Sequence, residues 1–361
     1  MKSIAQIRRG IEAQFGRLSR PDGEPVQIME VCGTHTVAAS RGGLRELLPE
    51  GLRLISGPGC PVCVTDQSYI DRAVQLVRSH GDVIVASYGD MIRVPGQDGS
   101  LAEARSQGAA VQVVYAAADA VALARRQPDR HVVFLGIGFE TTTPGAAMAI
   151  LQASQQQLDN FSVLSDHKLL LPAMRALLGQ VDVRIHGFLC PGHVSVIIGW
   201  RAFEPIVAAH RVPCVVAGFE DEQILMGIER IVAQLADSAP AAESVYPPVA
   251  PQGNPIAREM IDRVFVPADT RWRGLGLIPA SGLTVRDEYA QFDTQKRFEM
   301  PEVETREPAG CRCGDVICGR IAPTECGLFA SRCTPREPVG PCMVSSEGSC
   351  AAYYRYQRRG R

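Results

Sequence analysis

Short apolar runs alternate with amphipathic segments along the first two thirds of the chain. "VQIMEVCG", "LRLISGPG", "DVIVASYGD" and "AAVQVVY" predict buried strands, and "DQSYIDRAVQLVRSHG" and "AADAVALARRQ" predict helices. The rhythm begins again with the strands "HVVFLGIGFE", "VDVRIHGFLCPG" and "PCVVAGFE", between which lie the helical patterns "TPGAAMAILQASQQ", "KLLLPAMRALLG" and "DEQILMGIERIVAQL". Such alternation is typical of βαβ units, so we predict an α/β protein with two similar units and mainly parallel sheets.

Two further segments frame these units. Ile4, Ile7, Ile11, Phe15 and Leu18 repeat at helical spacing and predict an amphipathic helix at the start. "DSAPAAESVYPPVAPQGNP" is rich in Pro, Ala and Ser and indicates a linker, beyond which the rhythm fades. We therefore predict α/β domains over residues 1–128 and 129–250, and a small loop-rich C-terminal iron–sulfur domain over residues 251–361.

Composition narrows the function. The chain has 361 residues and a formal net charge of −2, which disfavours nucleic-acid and membrane binding. The first residues lack a signal-peptide pattern, and no apolar run reaches the length of a membrane span, so we expect a cytoplasmic protein. Thiols stay reduced in the cytoplasm, so 12 cysteines favour metal or redox chemistry over structural disulfides.

Seven of the 12 cysteines lie in the C-terminal segment, at positions 311, 313, 318, 326, 333, 342 and 350. The segment has little apolar material for a core, so a metal or cluster is expected to stabilise it. Paired C-x-x-C knuckles, which are usual in zinc modules, are absent. Thiolates from separated loops suit an iron–sulfur cluster at least as well.

Several loops that carry chemically active residues follow predicted strands. In open parallel sheets, ligands bind at the carboxyl ends of the strands. The loops "CGTHT", "GPGCPVC", "YGDMIRVPG", "GFETTTPG" and "CPGHVS" would all lie at that edge. They would gather soft metal ligands and proton-transfer groups, namely Cys32, His35, Cys60, Cys63, Asp90, Glu140 and His193.

Plain structural interpretations compete with these roles. A lone buried Cys is usually a small hydrophobe, which is an even alternative for Cys214 and a weaker one for Cys32. His35 and His193 each fit structural histidines, and Glu140 fits a solvated carboxylate at a helix start. The Cys60–Cys63 pair is harder to explain this way, because a following helix with Thr65 as its N-cap would lower a thiol pKa. "GIGFET" lacks the third glycine of a dinucleotide fingerprint, so we predict no nucleotide site.

Taken together, "EVCGTHT", "SGPGCPVCVT", "GFETTTPG", "PGHVS" and "CTPREPVGPCMVSSEGSCAAYYRY" resemble the motifs of the HypD family of [NiFe]-hydrogenase maturation proteins. The resemblance runs over nearly the whole chain. It implies two similar α/β units and a C-terminal unit holding a [4Fe–4S] cluster. It also implies a scaffold that, with the partner HypC, holds an iron ion while the iron receives two cyanides and one carbon monoxide.

The same resemblance implies HypE as cyanide donor and the hydrogenase large subunit as recipient. It assigns Cys32, Cys60 and Cys63 to the iron-assembly site, and we assign His35, Glu140 and His193 supporting roles there. Cys318 departs from the family pattern and is left out of the cluster. Among the remaining six candidates we favour Cys326, Cys333, Cys342 and Cys350 as ligands, with Cys311 and Cys313 as alternates or as a redox pair.

Three functions therefore compete. The first is an iron-cofactor assembly scaffold with redox activity from the thiols and the cluster. The second is a cluster-dependent thiol–disulfide oxidoreductase acting on a protein substrate, for which two α/β units are more than the usual single short domain. The third is a zinc-stabilised binding module without catalytic activity. Iron and sulfide content against zinc content separates the third from the other two.

Overall fold

The computed structural model describes residues 2–19, 23–300, 303–304 and 306–357. The strands are β1 (Val26–Glu30), β2 (Leu52–Ser56), β3 (Val83–Ser87), β4 (Val111–Val113), β5 (His131–Gly138), β6 (Phe161–His167), β7 (Gly187–Pro191), β8 (Cys214–Ala217), β9 (Ala242–Ser244), β10 (Phe265–Trp272) and β11 (Gly276–Val285).

The α-helices are α1 (Ile4–Phe15), α2 (Gly33–Arg41), α3 (Pro61–Val64), α4 (Gln67–Ser79), α5 (Leu101–Ser106), α6 (Ala117–Arg126), α7 (Thr143–Gln155), α8 (Leu170–Leu178), α9 (Gly192–Ile198), α10 (Glu204–His210), α11 (Asp221–Ala236), α12 (Pro255–Val264), α13 (Thr294–Arg297), α14 (Cys313–Ile317), α15 (Pro341–Val344) and α16 (Ser349–Tyr356). Short 3-10 helices span Leu44–Leu47, Met91–Arg93, Trp200–Phe203, Asp287–Phe292 and Pro323–Glu325.

Two parallel sheets form the centre of this mixed α/β fold. The first has the strand order β2-β1-β7-β8-β9 and the second β4-β3-β5-β6, and every strand pair within them is parallel. Each residue of β5 is buried, as expected for a central strand whose two faces are covered by helices. The prediction of an α/β protein with mainly parallel sheets is confirmed.

The division of these strands between the sheets differs from the predicted domains of residues 1–128 and 129–250. The five-stranded sheet joins β1 and β2 to β7, β8 and β9, and the four-stranded sheet consists of the strands between them. Both sheets therefore take strands from either side of residue 128. The hydrophobic pattern finds strands but carries no information on which distant strands pair, because parallel pairing is set by long-range packing.

The outer elements follow from local sequence. Helix α1 begins with a capping box of Ser3 and Gln6 and buries Ile7, Ile11 and Phe15 against α11, as its periodicity predicts. Strand β9 lies inside the segment predicted to be a linker and adds an edge to the five-stranded sheet. Among the helices of the described residues, none is both long and apolar enough to cross a bilayer.

The C-terminal region combines an antiparallel hairpin, β10–β11, with short helices and loops. Its buried residues, among them Val316 and Met343, belong to the same apolar cluster as Met29 of β1 and Val62 of α3. The region therefore packs its cysteines onto the α/β core, and α14 and α15 both contact α3. The predicted cluster region thus lies beside the loop that carries Cys60 and Cys63.

Candidate functional site

The loops "CGTHT" and "GPGCPVC" lie side by side because β1 and β2 are neighbours in one sheet. The Gly33 amide donates a hydrogen bond to the Gly59 carbonyl at 3.0 Å. A Cβ added at Gly59 would overlap the backbone of Cys32. Only glycine permits this approach, which brings Cys32 next to the turn that begins at Cys60.

Substituting Gly59 by Ala is therefore expected to lower the free energy of unfolding by about 1–3 kcal/mol, because the methyl group must push the two loops apart. Urea denaturation of the purified variant measures this loss. Gly81→Ala is the control, since a Cβ there meets no atom within 4 Å. Equal stability of the two variants would show that the loops do not pack as described.

Cys60 and Cys63 form a disulfide across the first turn of α3, with their Cα atoms 5.2 Å apart. Cys60 is the N-cap of α3, and the Cys63 amide donates to its Sγ at 3.2 Å. The predicted N-cap role of Thr65 is wrong: Thr65 ends α3, and the Asp66 carboxylate caps α4 by accepting from the Ser68 amide. Asp is at least as good an N-cap as Thr, and Asp66 rather than Thr65 directly precedes the first residue of α4.

Cys32 occupies the N-cap position of α2 and is buried. Burial raises the pKa of its thiol to about 12; the His35 amide opposes this rise, and the nearby Glu347 carboxylate adds to it. Amides at a helix start usually lower a thiol pKa, but for Cys32 desolvation outweighs them. In this state Cys32 is protonated near neutral pH, and a cation would have to displace that proton.

A segment from the C-terminal region covers these loops, and we call residues 345–347 the tail strap. Its Ser346 amide and hydroxyl each donate to Asp90 Oδ2 at 2.8 Å. The Ser345 hydroxyl lies 3.3 Å from Cys60 Sγ, and Thr34 Oγ1 donates to Glu347 Oε1 at 2.7 Å. The strap thus links Asp90, Cys60 and the start of α2, and it places a carboxylate beside Cys32.

His35 and His193 both pack against the aromatic ring of Phe219. The ring centroids of His35 and Phe219 are 5.1 Å apart, and those of His193 and Phe219 are 4.0 Å apart. His35 is fully buried, and burial lowers its pKa to about 4, so its ring is neutral and Nε2 donates to the Gly218 carbonyl at 2.9 Å. His193 is exposed. The two histidines predicted to support the site are therefore brought together, one inside and one at the surface.

Asp90 and Glu140 follow β3 and β5 and so belong to the four-stranded sheet. The prediction that all seven side chains share one sheet edge is wrong, because Cys32, Cys60 and His193 follow strands of the other sheet. The two sheets meet here through α3, which contacts β5, and through the tail strap. Glu140 accepts a hydrogen bond from the Leu170 amide at 3.0 Å, and its buried Oε2 has no hydrogen-bond partner in the part of the chain that the structure describes.

Burial raises the pKa of Glu140 from 4.5 to about 7. Between these two pH values the folded protein keeps Glu140 protonated, whereas the unfolded chain releases the proton. The contribution of this group to the free energy of unfolding is therefore complete below pH 4.5 and is lost as the pH rises through about 7. Glu140→Gln is expected to remove this dependence and to raise the free energy of unfolding above pH 7 by up to about 3 kcal/mol. Urea denaturation on both sides of pH 7 measures it, with exposed Glu204→Gln as control. An unchanged pH profile in Glu140→Gln would contradict the assignment.

The cysteines of the C-terminal segment converge in space. Cys313 and Cys342 are in direct contact, with their Sγ atoms 2.8 Å apart. Burial raises the pKa of Cys311 and of Cys333, and neighbouring thiols add to both shifts: Cys313, Cys333 and Cys350 for Cys311, and Cys350 and Cys326 for Cys333. The thiols of Cys313 and Cys350 likewise raise the pKa of Cys342. Within the described ranges, no group of three or more His, Cys, Asp or Glu side chains is arranged to hold a single metal ion. Thiol donors from separated loops nevertheless match the ligand chemistry of an iron–sulfur cluster.

The remaining cysteines have ordinary surroundings. Cys318 is buried and its Sγ contacts the Gly274 carbonyl at 3.5 Å. Cys190 and Cys214 lie on adjacent strands, fully buried, and their thiols contact the carbonyls of Phe188 and Val212. All three behave as small apolar side chains with weak S–H donors.

Sequence reasoning missed several residues that build this site. Arg273, in the β10–β11 turn, is buried, and its amide donates to the Val64 carbonyl. The pKa of the Cys313 thiol is lowered mainly by its hydrogen bond with Cys342, and the Arg273 guanidinium adds to this lowering. Phe219 and Glu347 were also missed. The only sequence signals were the run "GFE" after β8 and the Glu between Cys342 and Cys350.

Sequence comparisons with known proteins identify the family of the chain. A profile named HypD and described as "Hydrogenase formation hypA family" matches residues 4–357. The chain is 41% identical over 360 residues to the hydrogenase maturation factor HypD of Escherichia coli, which covers 99% of this chain and 96% of that protein. It is 44% identical over 372 residues to the HypD of Cupriavidus necator, with 99% and 98% covered. The chain therefore belongs to the HypD family.

Proposed function

We propose that this protein is a hydrogenase maturation factor in which Cys32 and the Cys60–Cys63 pair handle iron during assembly of the Fe(CN)2CO unit. The role in hydrogenase maturation follows the names of its relatives. The observation that carries the iron-handling part is the convergence of Cys32 and the Cys60–Cys63 pair at the ends of adjacent strands, under the tail strap. Thiolates are the soft donors that low-spin iron with cyanide and carbonyl ligands requires.

The resting geometry defines what must change before iron binds. Cys60 and Cys63 cannot act as ligands while they form a disulfide, and the Cys32 thiol is protonated. Reduction of the disulfide takes two electrons and two protons and gives two thiols. The tail strap must also move, because Ser345 and Glu347 occupy the space next to Cys60 and Cys32.

The proposed reductant is a second thiol pair, carried by helices that pack against α3. Cys313 and Cys342 are in contact, and the helices that carry them, α14 and α15, pack against α3. Thiol–disulfide exchange would oxidise this pair to a disulfide while Cys60 and Cys63 become thiols, so two electrons and two protons move together. The lowered pKa of Cys313 favours it as the attacking thiolate.

This pairing changes the ligand set that we favour for the [4Fe–4S] cluster. If Cys313 and Cys342 form the redox pair, then Cys311, Cys326, Cys333 and Cys350 remain as candidates, and Cys333 interacts electrostatically with each of the other three. We propose these four as ligands, in place of the set Cys326, Cys333, Cys342 and Cys350 favoured with the family resemblance. A cluster held there would supply one-electron transfer beside the thiol pair.

The partners are those of the family: HypC as a stable partner, HypE as a transient cyanide donor and the hydrogenase large subunit as recipient. The two cysteine loops are mostly buried, whereas His193 stands exposed on Phe219 at the same end of the five-stranded sheet. We propose that HypC docks at this end and completes the iron coordination. The absence of a strongly charged composition agrees with a protein partner rather than nucleic acid.

Infrared spectroscopy tests the proposal. The protein is co-purified with HypC from cells that express the other maturation proteins, and bands in the cyanide and carbonyl stretching region are expected. Cys32→Ala is expected to lose these bands, whereas Cys214→Ala keeps them. A spectrum without such bands in the wild-type complex would reject an iron-ligand scaffold.

One observation favours a second candidate, the thiol–disulfide oxidoreductase. The Cys60–Cys63 disulfide and the Cys313–Cys342 thiol pair lie on helices that pack together. Such an arrangement can pass electrons between the two pairs, and it does not require an iron cargo. A mixed disulfide trapped between a Cys63→Ser variant and a protein substrate, without cyanide or carbonyl bands, would support this function instead. Localisation in the cytoplasm is expected for either function.

A further inference from the structure

A polar cavity that none of the cysteines lines lies between α4, the end of β6 and the β10–β11 hairpin. Its volume is about 390 Å³, within the range of small-molecule sites. Acidic and basic side chains both line it, and they come from three separate segments: Arg72 from α4, Asp166 from β6 and Arg271 from the hairpin. Neither the family resemblance nor the thiol chemistry assigns any role to these residues.

The inner wall holds two charged side chains with unused hydrogen-bonding atoms. Asp166 Oδ1 accepts from Lys168 Nζ at 2.7 Å and from Thr270 Oγ1 at 3.1 Å, but its buried Oδ2 has no hydrogen-bond partner among the described residues. Arg72 Nε is likewise buried and donates to no group in the described structure. An unsatisfied buried charge is costly, so both atoms indicate a missing partner.

The rest of the wall is fixed. Lys168 is fully buried and donates to Asp166, to Thr270 and to the Arg271 carbonyl at 2.7 Å. The β10–β11 pairing shifts register between Ala268 and Thr270, and such bulges often re-aim side chains beside functional sites. Asp166 is therefore held by other residues with one oxygen left free, which is how a preorganised binding group is built.

The two free atoms define the chemistry of the occupant. Asp166 Oδ2 requires a hydrogen-bond donor, best a cation, and Arg72 requires an acceptor, best an anion. Arg72 and Asp166 attract each other electrostatically without forming a direct ion pair in the described residues. We propose that this cavity binds a small zwitterion of the amino-acid class, with its carboxylate on Arg72 and its ammonium group on Asp166.

Binding of simple probes to the full-length protein tests the site. Glycine and glycylglycine carry both groups, acetate and inorganic phosphate carry only the anion, and methylammonium carries only the cation. Saturation-transfer NMR and calorimetry are expected to show binding of glycine or glycylglycine at millimolar concentration or better, and much weaker binding of the single-charge probes. Equal binding of acetate or phosphate would indicate a simple anion site and overturn the proposal, as would no binding of any zwitterion.

Variants of Arg72 locate the binding. Arg72→Gln removes the anion partner and is expected to weaken zwitterion binding about tenfold or more, the usual loss for a charged hydrogen bond. Arg72→Lys keeps the charge but loses the bidentate guanidinium, so it is expected to weaken binding less than Gln does, and it serves if the Gln variant folds poorly. Arg78→Gln is the control, because Arg78 lies on the same helix but donates to the Asp98 carbonyl outside the cavity. Undiminished binding in folded Arg72→Gln and Arg72→Lys would overturn the site.

Discussion

A Cys63→Ser variant is expected to reduce hydrogenase activity to background in a complemented deletion strain while the protein stays folded. Cys63 is fully buried and forms the disulfide with Cys60, so the substitution removes both a candidate iron ligand and the redox pair. If the pair only stabilised the fold, the loss would be about 1–2 kcal/mol of stability, and some activity would remain. Cys60→Ser and Cys32→Ser are expected to behave like Cys63→Ser.

Cys214 provides the matched control. It is as buried as Cys63, lies on β8, and its thiol donates to the Val212 carbonyl within the apolar core. Cys214→Ala is therefore expected to lower stability modestly and to keep hydrogenase activity. Activity is measured beside circular dichroism and iron content. Wild-type activity in the Cys63→Ser strain would reject the mechanism proposed for the pair.

Local pattern was enough to find most elements of this fold. The strands around Ile28, Leu54 and Val85 were all predicted from short apolar runs, and β3 is buried at every residue, as expected for a strand covered on both faces. The sheet order was not predictable in the same way. β1 pairs with β7, more than 150 residues later, and nothing in the periodicity of either strand specifies that partner.

The candidate site shows the same limit. Cys32, Cys60 and Cys63 were found because they lie in loops that directly follow strands, where parallel sheets place their ligands. Glu347 and Ser345 were not found, because their hydrogen bonds to the site join residues that lie 313 and 285 positions apart in the sequence. The raised pKa of Cys32 was not predictable either, since burial depends on tertiary packing and sequence does not report it.

The second large effect concerns the C-terminal cysteines. Anaerobically purified protein is expected to contain about four irons and four sulfides per chain, if one cubane is bound. Cys333→Ala is expected to lose that iron and to unfold the surrounding loops, because ligand binding supplies the folding energy of a segment with so small a core. Cys318→Ala is the control within the same segment, since its buried thiol donates to the Gly274 carbonyl and lies in the apolar cluster.

Cys342 then separates the two possible ligand sets. As a cluster ligand, Cys342 would be as necessary for iron as Cys350, and the two Ala variants would lose iron equally. As the partner of Cys313, with which it is in contact, Cys342 is expected to be dispensable for iron content but required for hydrogenase activity. Iron and sulfide assays on Cys342→Ala and Cys350→Ala decide this. Loss of iron in both variants would return Cys342 to the ligands and leave Cys60–Cys63 without a neighbouring thiol pair as reductant.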